Sequence, residues 1–170
     1  RTVAHSMADA TGLPILRMYT GPGGKTRFAW TVLPLVRKTG LGSLGLFSEL
    51  FVNENIIDNA GDLRLQFAVT PLPKGGAGEG PQLAHTAPRK QLVLTLGGRL
   101  EFRSCDVETF DETTSATIGA GDILLAEDLV GAGHAWRFVP ARDGQLKPWR
   151  RCYVHLGDEY DHFVELLRPS

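Results

Sequence analysis

An all-β fold, an antiparallel double-sheet sandwich or barrel, is what this sequence predicts, and three observations carry it. Short segments rich in β-branched and aromatic residues recur along the chain, parted by turns of Gly, Asn and Asp. Only one stretch, close to the C-terminus, has the spacing of a helix. The 170 residues, 42% of them apolar and 22% charged, suit one globular domain with a genuine core and leave little room for a second.

Residues 1–20 read as an N-terminal extension of a single domain spanning 1–170, and what precedes Met7 reads in part as vector-derived, so His5 is given no role. "YTGPGGKT" ends in Gly-Lys-Thr, but Tyr19 stands where a phosphate-binding loop needs glycine, and a strand follows it instead of a helix; it is a turn. Arg27–Val36 alternates, with Phe28, Trp30 and Val32 on one face. Leu44–Phe51 and Leu63–Leu72 follow, parted by an Asn-, Asp- and Gly-bearing turn. Residues 74–82 form a flexible loop, because their glycines add conformational freedom and nothing to pack. "GGAGEGP" there lacks the strand–loop–helix setting of a dinucleotide fingerprint. Gln91–Leu96, Arg99–Ser104 and Val107–Phe110 make a meander that turns at Gly97–Gly98 and near Cys105. Thr114–Ile118 is rich in β-branched residues, and the turn Gly119–Asp122 leads into Ile123–Glu127. His134–Val139 and Arg151–Leu156 complete the strands. Asp158–Pro169 is the short helix, with Phe163, Leu166 and Leu167 as its stripe and Pro169 as its stop.

A net charge of −1 with no basic block argues against nucleic acid and against an anionic membrane surface as partners. No apolar run reaches the roughly 18 residues of a membrane span, and the N-terminus lacks a signal-peptide core. Cys105 and Cys152 are the two cysteines, without a CxxC, and read as reduced thiols of a cytoplasmic protein.

Two stretches carry the functional signal, "HTAPRKQLVLTLGG" (His85–Gly98) and "GDILLAEDLVGAGHAW" (Gly121–Trp136). Together they resemble the two strand motifs of the cupin superfamily, small double-sheet jelly-roll barrels. In that family three histidines and a glutamate converge on one metal ion. Here His85 and His134 stand at two histidine positions, Ala87 replaces the remaining histidine, Gln91 replaces the glutamate, and the proline of the second motif is missing. The resemblance implies a barrel that binds a small organic molecule, and a homodimer. It does not fix an activity, because one fold hosts many chemistries.

Continuous β-structure places His85, Ala87, Arg89, Gln91, Val93 and Thr95 on one face, and His134, Trp136 and Phe138 share another. Turned inward, these faces form a pocket with His134, Arg89 and Gln91 as catalytic candidates and His85, Trp136, Phe138, Val93 and Glu127 as substrate contacts. His134 suits acid–base work, since imidazole titrates near neutrality. Arg89 offers a planar fork for a carboxylate or enolate oxygen, and Gln91 orients a carbonyl. That set fits isomerase, cyclase or lyase chemistry with metal optional. A second reading is an oxygenase holding a divalent metal (iron, nickel, zinc or manganese) on His85 and His134, with water, Glu127 or Asp128 completing the shell. A third is a non-catalytic ligand-binding domain. Glu127 and Asp128 otherwise read as a strand end where one faces solvent or caps the turn, and His155 and His162, outside both motifs, read as structural or surface residues.

Overall fold

Strands whose apolar residues are buried on both faces belong in the interior of a sheet, and three segments have that character. They are β1 (Gly12–Thr20), β6 (Gln91–Gly97) and β9 (Ile123–Glu127). Ile15, Leu16 and Met18, Leu92 and Val93, and Leu124, Leu125 and Ala126 are all buried. In this computed structural model, which describes residues 12–34, 36–39, 49–52, 64–73, 84–106 and 114–156, the three lie side by side. They occupy a six-stranded sheet of order β2-β1-β9-β6-β11-β5, with β2 at Thr26–Pro34, β5 at Arg64–Thr70 and β11 at Trp149–His155. Every pairing in it is antiparallel except β1 with β9, which run parallel with Leu16 opposite Leu124.

The second layer has three strands, β10 (His134–Phe138), β7 (Arg99–Ser104) and β8 (Ser115–Gly119), in that order. A separate pair joins β3 (Val36–Thr39) to β4 (Glu49–Val52). The fold is all-β and double-sheeted, as the sequence predicts, although among the described residues the sheets stay two layers and do not close into one barrel. Among the described residues the helical element is a single 3-10 turn, Pro22–Gly24, in the loop between β1 and β2. No helix among them is long and apolar enough to cross a membrane.

Several elements differ from expectation. Residues 12–20 are not peripheral: β1 lies inside the large sheet, because Ile15 and Leu16 point to opposite faces and both find apolar neighbours. The stretch Arg27–Val36 ends as one strand at Pro34, and Val36 opens β3 in another sheet. Of Leu44–Phe51 only the end lies in a described strand, β4. Of the face expected to carry Phe28, Trp30 and Val32, Phe28 packs against the core, whereas Trp30 and Val32 on the edge strand β2 are exposed. Leu65, Phe67 and Val69 on the other edge, β5, are exposed too. The predicted strand Val107–Phe110, the loop 74–82 and the C-terminal helix lie outside the described residues.

The main core fills the space between the layers. Leu100, Phe102, Ile118 and Phe138 from the small sheet meet Leu16, Met18, Val93, Leu124, Ala126 and Trp149 from the large one. The far face of the large sheet carries a second cluster, Ile15, Leu33, Leu92 and Leu125. Both cysteines are free, Cys152 buried and Cys105 half-buried, with burial pushing the Cys105 thiol pKa up.

A charged brace ties the two layers at one end. Asp106, just past β7, accepts from Ser104 Oγ, and Lys25 Nζ lies 3.1 Å from its Oδ2. The Ser104 hydroxyl, then Lys25, hold the Asp106 carboxyl below the ordinary aspartate range. The stabilised form is the ionised one. Its contribution is present above the pKa of an unfolded aspartate, about 3.9, and is lost as the pH falls through the lower folded value. Asp106→Asn is therefore expected to lower Tm near neutral pH, with the gap to wild type closing below about pH 4. Thermal melts across that range check it, and a gap that stays constant to low pH would refute the brace.

Candidate functional site

The loop that carries the second motif owes its shape to two glycines. Gly131 and Gly133 both have positive φ, 92° and 75°. Gly131 packs against Gly24 of the 3-10 turn, where Ala132 N donates to Gly24 O at 3.0 Å. Gly133 passes so close to His85 that a Cβ there would sit 2.4 Å from the His85 carbonyl oxygen. This contact permits a two-way backbone bridge: His134 N donates to His85 O at 2.9 Å and His85 N to His134 O at 3.2 Å. Two histidines 49 positions apart (85 and 134) are thereby set side by side, their ring centroids 4.5 Å apart.

Behind His134 stands a carboxylate. Asp128, wholly buried, places Oδ2 at 2.7 Å from His134 Nδ1. Thr26 Oγ1 lies 3.2 Å from the same oxygen and donates to Gly133 O at 2.9 Å. An ionised carboxylate only accepts, so Nδ1 carries the proton and Nε2 is the nitrogen left for a ligand. Nε2 has no hydrogen-bond partner among the described residues, and His134 lines a cavity. Sequence reasoning gave Asp128 no such role. The readable signal was a carboxylate between the apolar run "ILLA" and a glycine turn, six residues before a histidine.

That cavity has a volume of about 420 Å³ and opens between the two sheets, the size of an ordinary small-molecule site. It gathers His85, Arg89, Gln91, Val93, His134 and Trp136 of the sequence-predicted residues. The route differs from the expected one. Residues 88–90 form a bend, so the run from His85 is not one continuous strand, and β6 begins only at Gln91. Gln91 and Val93 are buried in the wall, while Arg89 and His85 are exposed.

Two predicted contacts fall elsewhere. Phe138 is buried in the main core, edge-on to Trp136 with centroids 5.4 Å apart, and supports the wall without forming it. Glu127 lies on the opposite face of β9, because Leu124 and Ala126 take the cavity face and alternation sends Glu127 the other way. There it accepts from Arg17 on β1. The sequence also missed a wall, since Trp149, Arg151, Tyr153 and His155 of β11 all line the cavity. His155 is thus a cavity residue.

The donor set does not match a resident metal centre of the superfamily type. Ala87 and Gln91 supply neither imidazole nor carboxylate, and two arginines share the cavity. Among the described residues no group of three or more His, Cys, Asp and Glu side chains is placed to hold a metal ion.

No protein-family model and no curated protein matches this sequence. Among solved structures, the crystal structure of an ethanolamine utilization protein Q from Salmonella typhimurium is similar to it. That protein is 16% identical, the match covers 86% of this chain and 97% of that one, and the TM-score is 0.32.

Proposed function

We propose that this chain is a small-molecule enzyme of the isomerase, cyclase or lyase kind, working by proton transfer at His134 without a resident metal. One observation carries the reading: a cavity histidine is backed by a wholly buried carboxylate at 2.7 Å, with its second ring nitrogen uncommitted. Buried carboxylates are costly, and one spent on orienting an imidazole fits a base whose tautomer matters. Nε2 takes a proton from a substrate carbon or hydroxyl, the imidazolium is stabilised by Asp128, and the proton returns at a neighbouring atom. Gln91 orients a substrate carbonyl, and Arg89 at the open side attracts negative charge. Trp136, half-buried and lining the same cavity, offers the substrate an apolar ring.

Deuterium wash-in tests this without knowing the substrate. Small ketones and oxo-acids are incubated with the protein in D2O and followed by proton NMR. Exchange of an activated C–H, absent with His134→Ala, is the expected result. If compounds raise Tm but none exchanges or changes, the non-catalytic binding reading takes its place. Stoichiometric iron, nickel, zinc or manganese after chelator-free purification, with activity lost on chelation, would favour the oxygenase reading on His85 and His134.

A further inference from the structure

Alternation turns Trp149, Arg151, Tyr153 and His155 of β11 to one side, and all four reach the cavity. Arg151 is the best anchored of them. Its guanidinium carbon lies 3.9 Å from the centre of the Trp149 ring, Nε donates to Tyr153 Oη at 2.5 Å, and Nη1 donates to Thr70 Oγ1 at 2.8 Å. A longer bond, 3.4 Å, runs from Nη1 to the Trp149 carbonyl.

None of these partners is an anion. Nη2 keeps both its N–H groups without a partner among the described residues, and no carboxylate there pairs with Arg151. Tyr153 Oη accepts from Arg151 and keeps its own proton to donate. Arg89 lines the same cavity, and no Asp or Glu is among the described residues that do. Asp128, the buried carboxylate of the second motif, is engaged by His134 and Thr26.

A guanidinium stacked on an indole, fixed by two side chains and left without a counter-ion among the described residues costs stability unless something uses it. Its free edge matches the planar, two-oxygen shape of a carboxylate. We propose that Arg151, backed by Trp149 and flanked by the Tyr153 hydroxyl, seats the carboxylate of the ligand, so that the cavity takes small organic acids. This rests on the cavity being the ligand site, as above, and names its substrate class. His134 on the facing sheet then meets the acid's other end, with its proton-bearing atoms.

The probes are acetate, pyruvate, benzoate and phenylpyruvate, each beside its uncharged amide, with inorganic phosphate as a separate arm. The readout is the indole N–H resonance of Trp149. The larger acids are expected to shift it saturably, with their amides at least tenfold weaker. Arg151→Gln is expected to lose at least tenfold in acid affinity, and Arg151→Lys, which keeps the charge but not the fork, most of that loss. The lysine variant carries the comparison should the glutamine variant not fold. Amides binding as well as acids, phosphate outcompeting every carboxylate, or acid affinity unchanged in a folded Arg151 variant would overturn the seat. Deuterium exchange confined to neutral ketones would also overturn it and leave the acid–base reading standing. Saturable, Arg151-dependent acid binding without exchange supports the seat and counts against the enzyme.

Discussion

His134→Ala is expected to abolish deuterium exchange, and Asp128→Asn to slow it by about 10²–10⁴ with the fold intact. The asparagine is isosteric, and with its amide nitrogen in the place of Oδ2 it can donate to Thr26 Oγ1, whose own proton goes to Gly133 O, so packing is undisturbed. What changes is the face shown to His134. Its amide donates to Nδ1 at the position where the carboxylate accepts, which moves the imidazole proton to Nε2 and removes the base from the cavity. Nitrogen-15 NMR of the imidazole reads that tautomer directly, and a merely structural Asp128 would leave it unmoved. The double variant is expected to be no slower than His134→Ala alone, since the two side chains act as a unit. Losses that multiply would mean that Asp128 acts on something other than His134.

Gly133→Ala is expected to be strongly destabilising. The residue sits at φ 75°, and its new Cβ would lie 2.4 Å from His85 O and 2.5 Å from the carbon behind it. Both contacts are with backbone, which cannot swing away as a side chain would. Left-handed strain together with forced separation is worth roughly 2–4 kcal/mol, about 5–15 °C in Tm for a domain of this size. Gly144→Ala is the control. It has a similar φ of 77° with nothing within 4 Å of the added atom, so it carries the strain alone, about 1 kcal/mol. Melts of the two variants separate the terms, and equal losses would refute the steric account. The Gly133 variant is also expected to part His85 from His134, because the bridge between them needs the close approach.

Local signals made most of the fold legible. Gly and Asp turns bracket β6, β7 and β9, with apolar alternation in β7 and short continuous apolar runs in β6 and β9, so these strands fall within a residue or two of expectation. β1 was less readable, because "LPILRMYT" carries buried residues on both faces and shows no clean alternation. Half of the cavity was visible through the two motifs. The other half was not, since the place of "WRRCYVH" in the cavity wall depends on β11 pairing with β6, a neighbour that only the folded sheet supplies. Within that strand the clue was a polar, aromatic set at every second position. Glu127 and Asp128 show the opposite limit: two adjacent acids look alike in sequence, yet one residue of alternation decides which is bonded to Arg17 and which to His134.

The parallel pairing of β1 with β9 has a kinetic meaning. Leu16 finds Leu124 only after a loop of more than a hundred residues has closed, and β9 must also accept β6 on its other side. Closing so long a loop is entropically expensive before any contact offsets it. Local hairpins such as β1–β2 and β7–β8 can form early, but the sheet that holds the cavity is assembled late. His134 and Arg151, on facing layers, are therefore expected to come together only late in folding, so that partly folded chains lack the cavity.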